Sequence, residues 1–267
     1  MHHPSPPIAD LIERQSLFEV RAFVAGAWIA SSDTIRVDDP ASGAEIARVT
    51  ACDAVVARKA IDAAELAFST WSTMLARQRG QILRRWADLI EENAEELAFI
   101  ITAEQGKHLA EERGEVFYGA GFVYWFASEG ERAYGETIPS HKASSKLVVS
   151  MQPVGVTAAI TPWNFPNAMI AGKAAPAAGC TMIVQPPLDA PLSALALARL
   201  AARAGISSGV FQVVVGDPVV PSDEFISDER GLALSFTGST EVGRILLSKA
   251  GRTVKEVSME LGGNAPG

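Results

Sequence analysis

The amino-acid sequence predicts an α/β fold, a doubly wound parallel sheet with helical and β-hairpin elements attached. Two observations carry this. Beyond Ser144, short apolar runs alternate with stretches of helical period, and strands that alternate with helices build a parallel sheet. Before that point, from Asp53 to Gly130, apolar residues recur every three or four positions, as they do along one face of a helix. A chain of 267 residues can bury a substantial core, as one large domain or as one domain with an appendage.

The elements follow in order. Residues 1–20 are an N-terminal arm, proline-rich at Pro4, Pro6 and Pro7 and leading into a short helix. Residues 21–129 supply strands and helices. Phe23 to Ile29 and Ile35 to Asp39 read as strands, with a turn at Ala41-Ser42-Gly43. Asp53 then offers an N-cap to a helix whose inward residues are Val56, Ala60, Ala64, Phe68 and Trp71. A second helix from Ala76 turns Ile82, Trp86, Leu89 and Ile90 inward, with Arg84, Arg85, Glu91 and Glu92 outward. Helical periods continue over Glu95–Gly106 and Glu111–Gly130. Within residues 130–152 the run Ser145 to Gln152 alternates like an extended strand. Residues 153–267 are the core of the sheet. Its strands are Gly155–Ile160, Thr181–Val184, Gly209–Val215, Leu232–Phe236 and Val254–Met259. The helices between are Asn167–Ala178, Pro191–Ala204, a short one near Asp223–Ile226, and Glu241–Ala250.

Composition narrows the function classes. A net charge of −8 without a basic stripe argues against a nucleic-acid partner. No apolar run reaches the length of a membrane span, and the start has neither the basic nor the apolar part of a signal peptide. Two cysteines, Cys52 and Cys180, are too few for a disulfide framework and suit a reducing, cytoplasmic setting. The four histidines have no metal-ligand spacing, so no metal is expected.

Three motifs follow three of the strands. Thr161-Pro162-Trp163-Asn164-Phe165-Pro166 sits where doubly wound sheets bind ligands, beyond the carboxyl end of a strand. Its Asn164 amide could stabilise an oxyanion; the same residues would also make a stiff turn around a buried aromatic. Phe236-Thr237-Gly238-Ser239-Thr240-Glu241-Val242-Gly243 ends a strand and opens a helix, whose free N–H groups suit a diphosphate. Ser239 or Thr240 could equally be ordinary caps. Glu260, before Gly262 and Gly263, could be a general base or a solvated strand end. There is no G-x-G-x-x-G fingerprint.

Together, in this order and spacing, the three motifs resemble the aldehyde dehydrogenase superfamily. Supporting stretches are Asp39 to Gly43, Glu104-Gln105-Gly106-Lys107, Leu192 to Leu197 and Gly205 to Val215. Met259 to Pro266, with Tyr134 to Pro139, is most similar to the succinate-semialdehyde branch. The resemblance implies NAD or NADP as cofactor and a small aldehyde as substrate. A thiolate attacks the aldehyde, hydride passes to the cofactor, and a carboxylate is released. It implies that Asn164 helps form the oxyanion hole and that Glu260 activates the hydrolytic water. The cofactor site would comprise Thr161, Pro162, Trp163, Asn164, Gln185, Pro186, Leu188, Gly216, Phe236, Gly238, Ser239, Val242 and Leu261, with the diphosphate at Gly238 and Ser239. It further implies a homo-oligomer that packs the 130–152 hairpin on a neighbour.

Departures from the family pattern set further expectations. The usual Lys-Pro-Ala-Glu or Lys-Pro-Ala-Ser is replaced by Gln185-Pro186-Pro187-Leu188, which weakens the hold on the adenosine ribose. An Arg available to a substrate carboxylate is replaced by Gly172. The run Lys173 to Cys180 is two residues short, so the end of the preceding helix must rearrange, since two residues turn a helix by roughly 200°. The family's nucleophilic Cys lies a few tens of residues beyond the Glu motif, whereas the chain stops at Gly267. The catalytic cysteine domain is therefore expected to be absent and the chain as given inactive. The alternative is a truncated or degenerate relative that binds a nucleotide weakly or not at all, or that only associates with intact subunits.

Overall fold

The structure is a computed structural model that describes residues 8–173 and 175–263. The prolines of the arm at positions 4, 6 and 7, and Asn264 to Pro266 of the Glu260 motif, lie outside the described residues. The chain opens with α1 (Ile8–Ile12), the hairpin β1 (Ala22–Val24) and β2 (Ala27–Ile29), and a separate antiparallel ribbon of β3 (Thr34–Asp38) and β4 (Glu45–Thr50). Asp39 closes that ribbon by accepting from Ala41 N at 2.9 Å and Ser42 Oγ at 2.6 Å. Four helices follow: α2 (Ala54–Trp71), α3 (Ala76–Glu92), α4 (Ala94–Gln105) and α5 (Leu109–Glu129). Asp53 caps α2, accepting from Val56 N at 2.9 Å.

An exposed hairpin, β5 (Glu136–Ile138) with β6 (Leu147–Val149), leads into the sheet. There β7 (Val156–Ile160), α6 (Ala168–Ala171), β8 (Thr181–Gln185), α7 (Leu192–Ala204), β9 (Phe211–Val213), α8 (Val220–Ser227), β10 (Gly231–Gly238), α9 (Thr240–Ala250) and β11 (Glu256–Leu261) alternate. The sheet order is β11-β10-β7-β8-β9-β1-β2. The first five strands are parallel; β1 and β2 extend the sheet antiparallel beyond β9.

Side chains alternate across a strand, and here the alternation feeds two cores. Met182, Val184, Val213 and Val215 join Trp86, Leu97, Ile101 and Leu195 from the layer of α3, α4 and α7. Their neighbours Ile183 and Val214, with Ala158 and Leu234, join Ile61, Phe225 and Leu246 from α2, α8 and α9. Burial on both faces is what permits strands with almost no polar residues. Buried polar tips find backbone partners: Trp86 Nε1 donates to Leu197 O at 3.2 Å and Trp71 Nε1 to Pro176 O at 2.9 Å.

Three expectations need correction. The helix read over Asn167–Ala178 is α6 of four residues, capped at Gly172, and a separate 3-10 turn over Ala175–Ala178. Pro176 lacks an N–H and cannot continue a helix from α6. The inward face of α2 is Ala57, Ala60, Ile61, Ala64, Ala67 and Trp71, whereas Val56 and Phe68 are only half-buried; small residues let the helix lie close on the sheet. The extended run Ser145–Gln152 pairs only over Leu147–Val149, because its partner β5 is three residues long.

Glu104 ties the helical layer to the sheet. Near the end of α4 it is buried and accepts from Leu192 N at 2.6 Å and Ser193 N at 2.8 Å, the first turn of α7. A carboxylate there complements the helix N-terminus. Each buried N–H left without an acceptor costs about 1–3 kcal/mol. Glu104→Ala is therefore expected to lower unfolding free energy by about 2–5 kcal/mol in urea titrations, with Glu104→Gln intermediate. Wild-type stability in the Ala variant would show that the two N–H groups find other acceptors.

Candidate active site

The strand order reverses direction between β7 and β10: the chain runs outward from β7 through β8 to β9, then crosses back to β10 and β11 on the other side. A crevice opens at such a switch point beyond the carboxyl ends of the strands. Two adjoining clefts occupy it. One, of about 800 Å3, is lined by Thr161, Pro162, Trp163, Gln185, Pro186, Leu188, Gly216, Phe236, Gly238, Ser239 and Val242 among others. The other, of about 880 Å3, shares Pro162, Trp163, Gly238 and Ser239 and adds Asn164, Glu260 and Leu261. The two clefts thus gather Thr161 to Asn164, Gln185, Pro186, Leu188, Gly216, Phe236, Gly238, Ser239, Val242, Glu260 and Leu261 at one end of the sheet.

Local chemistry explains each position. Ser239 caps α9, accepting from Val242 N at 3.2 Å, so the earlier N–H groups of that turn still face the cleft without an intrahelical acceptor. Gly238 lies flush over Phe236, and a Cβ there would come within 2.5 Å of the Phe236 ring. At Gly216 a Cβ would meet Cys52 O at 2.6 Å, since the chain runs hard against the start of α2. Thr161 is buried, and its Oγ1 has no hydrogen-bond partner among the described residues. Helix N–H groups, a side-chain-free approach and an unpartnered hydroxyl together fit a bound diphosphate-containing nucleotide. The opposite end is poorer. Gln185 is buried with its Nε2 donating to Pro218 O at 3.1 Å, Leu188 packs on the apolar core, and no charged side chain lines that cleft.

Glu260 stands opposite Thr237 in the parallel register of β10 and β11. Its Oε2 accepts from Thr237 Oγ1 at 2.9 Å. Lys173 Nζ in turn donates to Thr237 Oγ1 at 2.9 Å and to Ser235 Oγ at 2.8 Å. A cation, a hydroxyl and the carboxylate are therefore linked in series. Burial lowers the Lys173 pKa from its ordinary value, and the Glu260 carboxylate opposes that shift. Lys173 is not among the residues that the sequence motifs mark, and its place in this series is seen in the fold. The signal was there: Ser235 and Thr237 alternate with Leu234 and Phe236, which marks one polar face on β10. Gly172, beside it, ends α6 near the Phe122 ring. Cys52 and Cys180 are both buried and line neither cleft. Burial pushes the Cys52 thiol up to about 11, the reverse of what a nucleophile requires.

A doubly wound sheet with a crevice at its switch point is the architecture in which dinucleotide-binding proteins hold their ligand. Comparison with known proteins narrows it. Residues 28–267 match the aldehyde dehydrogenase family, and the chain belongs to that family. It is 50% identical over 254 residues to a glutarate-semialdehyde dehydrogenase of Pseudomonas aeruginosa, covering 94% of this chain and 53% of the relative. It is 49% identical over 255 residues to the NADP+ succinate-semialdehyde dehydrogenase GabD of Escherichia coli, with the same coverage. A crystal structure of an aldehyde dehydrogenase from Brucella melitensis superposes with a TM-score of 0.93 at 51% identity, covering 94% of this chain and 53% of that one. The chain spans about half the length of these relatives.

The Lys173–Thr237–Glu260 series makes a testable statement about charge. Glu260→Gln removes the carboxylate that holds the ammonium form of Lys173, so its pKa falls further. One unit is tenfold in the neutral fraction, and labelling of Lys173 by an acylating reagent at pH 8 is expected to quicken about three- to tenfold. Unchanged labelling would mean that the hydroxyl bridge transmits no charge.

Proposed function

We propose that this chain supplies the nucleotide-binding part, and the water-activating carboxylate, of an NAD(P)+-dependent enzyme that oxidises an aldehyde to a carboxylate. One observation carries the reading: Asn164, Glu260 and the first turn of α9 converge on one crevice at the switch point. Gly238, Ser239 and the α9 N-terminus would hold the cofactor's diphosphate, with Thr161, Pro162, Trp163, Phe236 and Val242 along its length. When bound, the nicotinamide nucleotide supplies the hydride acceptor. The Asn164 carboxamide would donate to the oxygen that gains negative charge as the carbonyl carbon becomes tetrahedral. Glu260 would take a proton from the water that releases the product, and Lys173 would steady its charge through Thr237. The thiol that such a reaction needs is supplied by neither Cys52 nor Cys180, both buried away from the clefts.

The semialdehyde names of the relatives make a short aldehyde with an acidic far end the natural substrate class. Gly172 offers such an anion neither charge nor donor, which argues for a weaker preference over a neutral aldehyde. The exposed β5–β6 hairpin, with Val148 71% accessible, would pack on a second copy. No helix among the described residues is long and apolar enough to cross a membrane, and free cysteines suit the cytoplasm. A second reading, a module that binds a nucleotide only weakly, is favoured by the tied-up Gln185 amide and the apolar Leu188 at the ribose end.

Calorimetry of the chain with NAD+ and NADP+ tests both. Binding of either nucleotide that Gly238→Val abolishes, with the circular dichroism of the fold unchanged, is the expected result; no heat with any nicotinamide nucleotide would sink the cofactor assignment. A charged hydrogen bond contributes about 1.5–3 kcal/mol. Gln185→Lys combined with Leu188→Glu is therefore expected to tighten NAD+ by about ten- to several-hundred-fold. No gain in a folded double variant would place the ribose elsewhere.

A further inference from the structure

Behind the Asn164 loop lies a buried polar cluster that the proposed chemistry does not use. Lys107, in the turn between α4 and α5, donates through Nζ to Asn164 O, and the same ammonium lies 3.8 Å from the centroid of the Phe165 ring. Glu115 on α5 accepts from Asn167 N at 2.8 Å and Ala168 N at 3.1 Å. The loop from Asn164 to Ala168 is thus held at both ends by α5 and the turn that precedes it. Lys107 also approaches Glu115 at 3.7 Å and Glu112 at 4.0 Å.

The balance of charge is uneven. The Glu112 and Glu115 side chains are 0% and 2% exposed, three residues apart on one helix, hence on the same face. Both oxygens of Glu112, and Oε2 of Glu115, have no hydrogen-bond partner among the described residues. One ammonium cannot neutralise two buried carboxylates, and like charges so placed hold one proton between them. A proton on Glu112 would satisfy Glu115 Oε2, while Glu115 Oε1 keeps its two backbone donors. Burial and the Glu115 carboxylate both raise the Glu112 pKa well above the carboxylate range, while Lys107 opposes them. The other charged groups in reach agree. Glu111 on the same helix raises Glu112 further; Glu104 of α4 faces Glu115; α6 contributes only the neutral Asn167. On α3, Arg84 and Asp88 bond Ser128 and Tyr124, about two and a half turns or more beyond Glu115 along α5 by the helix repeat of about 3.6 residues.

We propose that Lys107 is a positioning residue for Asn164, and that the proton shared by Glu112 and Glu115 decides how firmly it holds the loop. With the proton present, Lys107 divides itself between Asn164 O and Glu115. When the proton leaves, a second carboxylate competes for the ammonium, the bond to Asn164 O weakens, and the Asn164 carboxamide loses its fixed direction. The consequence for catalysis rests on reading Asn164 as the oxyanion donor; the clamp itself does not.

Amide hydrogen exchange of the whole chain tests it, read at Asn167, Ala168 and Met169 after correction for the intrinsic effect of pH, with β8 amides as internal reference. In the wild type, protection of the loop is expected to fall about tenfold between pH 6.5 and 9 while β8 is unchanged. Glu112→Gln, neutral at every pH and able to donate to Glu115, should keep the loop protected throughout. Lys107→Met should lose protection at both pH values, and Lys107→Arg should restore most of it. Loop protection unaffected by Lys107→Met overturns the clamp, as does loss spread equally to β8, which is the mark of a merely destabilised fold. A wild-type loop whose protection does not change with pH overturns the shared proton. Because no cofactor or aldehyde enters this experiment, failure of nucleotide binding in calorimetry would bear on the proposed function alone.

Discussion

Both faces of β8 and β9 have to be buried at once, and much of this structure follows from how that is done. Met182, Val184, Val213 and Val215 point into one core while Ile183 and Val214 point into the other. A helical layer is therefore required on each side. The first is made mostly from α3, α4 and α7, and the second from α2, α8 and α9. A parallel sheet cannot close with tight turns, because each strand must be re-entered from the same end. The helices serve as crossovers and covers together, and their loops collect at the carboxyl ends of the strands.

The crevice is a by-product of that winding. Successive crossovers go one way from β7 and then the other, so the loops after β7 and β10 part and leave a gap between them. Thr161 to Pro166 fills one wall and Gly238 to Thr240 the other. The pairing of β10 with β11 then sets Glu260 level with Thr237, and the end of α6 delivers Lys173 to the same hydroxyl. Three residues far apart in the chain become one electrostatic unit through strand register and one short helix. The polar face of β10 makes this possible, since Ser235 and Thr237 both accept from Lys173 Nζ there.

Charged side chains that hold backbone groups recur near this gap. Glu104 binds the first turn of α7, Glu115 binds the start of α6, and Lys107 holds Asn164. Each uses a polar side chain to fix backbone groups of a loop or helix start. An unpaired buried polar group is costly, so such anchors hold a loop in one geometry more firmly than apolar packing alone. Burial itself pushes Glu104 up to about 7 against the two N–H groups that favour its charged form, which shows how closely these terms are balanced.

The sequence by itself determined the alternation of strands and helices and most element positions to within a few residues, and it marked the loops that border the crevice, though not Ile160, Pro218, Ser222 or Leu246, which line it too. These are local or periodic properties: apolar runs with period two, helical stripes, a Ser before a helix, glycines where the chain must come close. Resemblance of three motifs in order added the family. What only the tertiary structure decided is non-local. Strand order, and hence the switch point, depends on which surfaces meet. So do the link from Lys173 through Thr237 to Glu260, the tether of Gln185 to Pro218 O and the clamp on Asn164. The break between α6 and the turn at Ala175–Ala178 was legible from Pro176 yet read through as helix, because apolar periodicity continued across it. Periodicity records which face a residue prefers; it does not record which partner waits on that face, since contacts between residues tens of positions apart leave no mark in any local window.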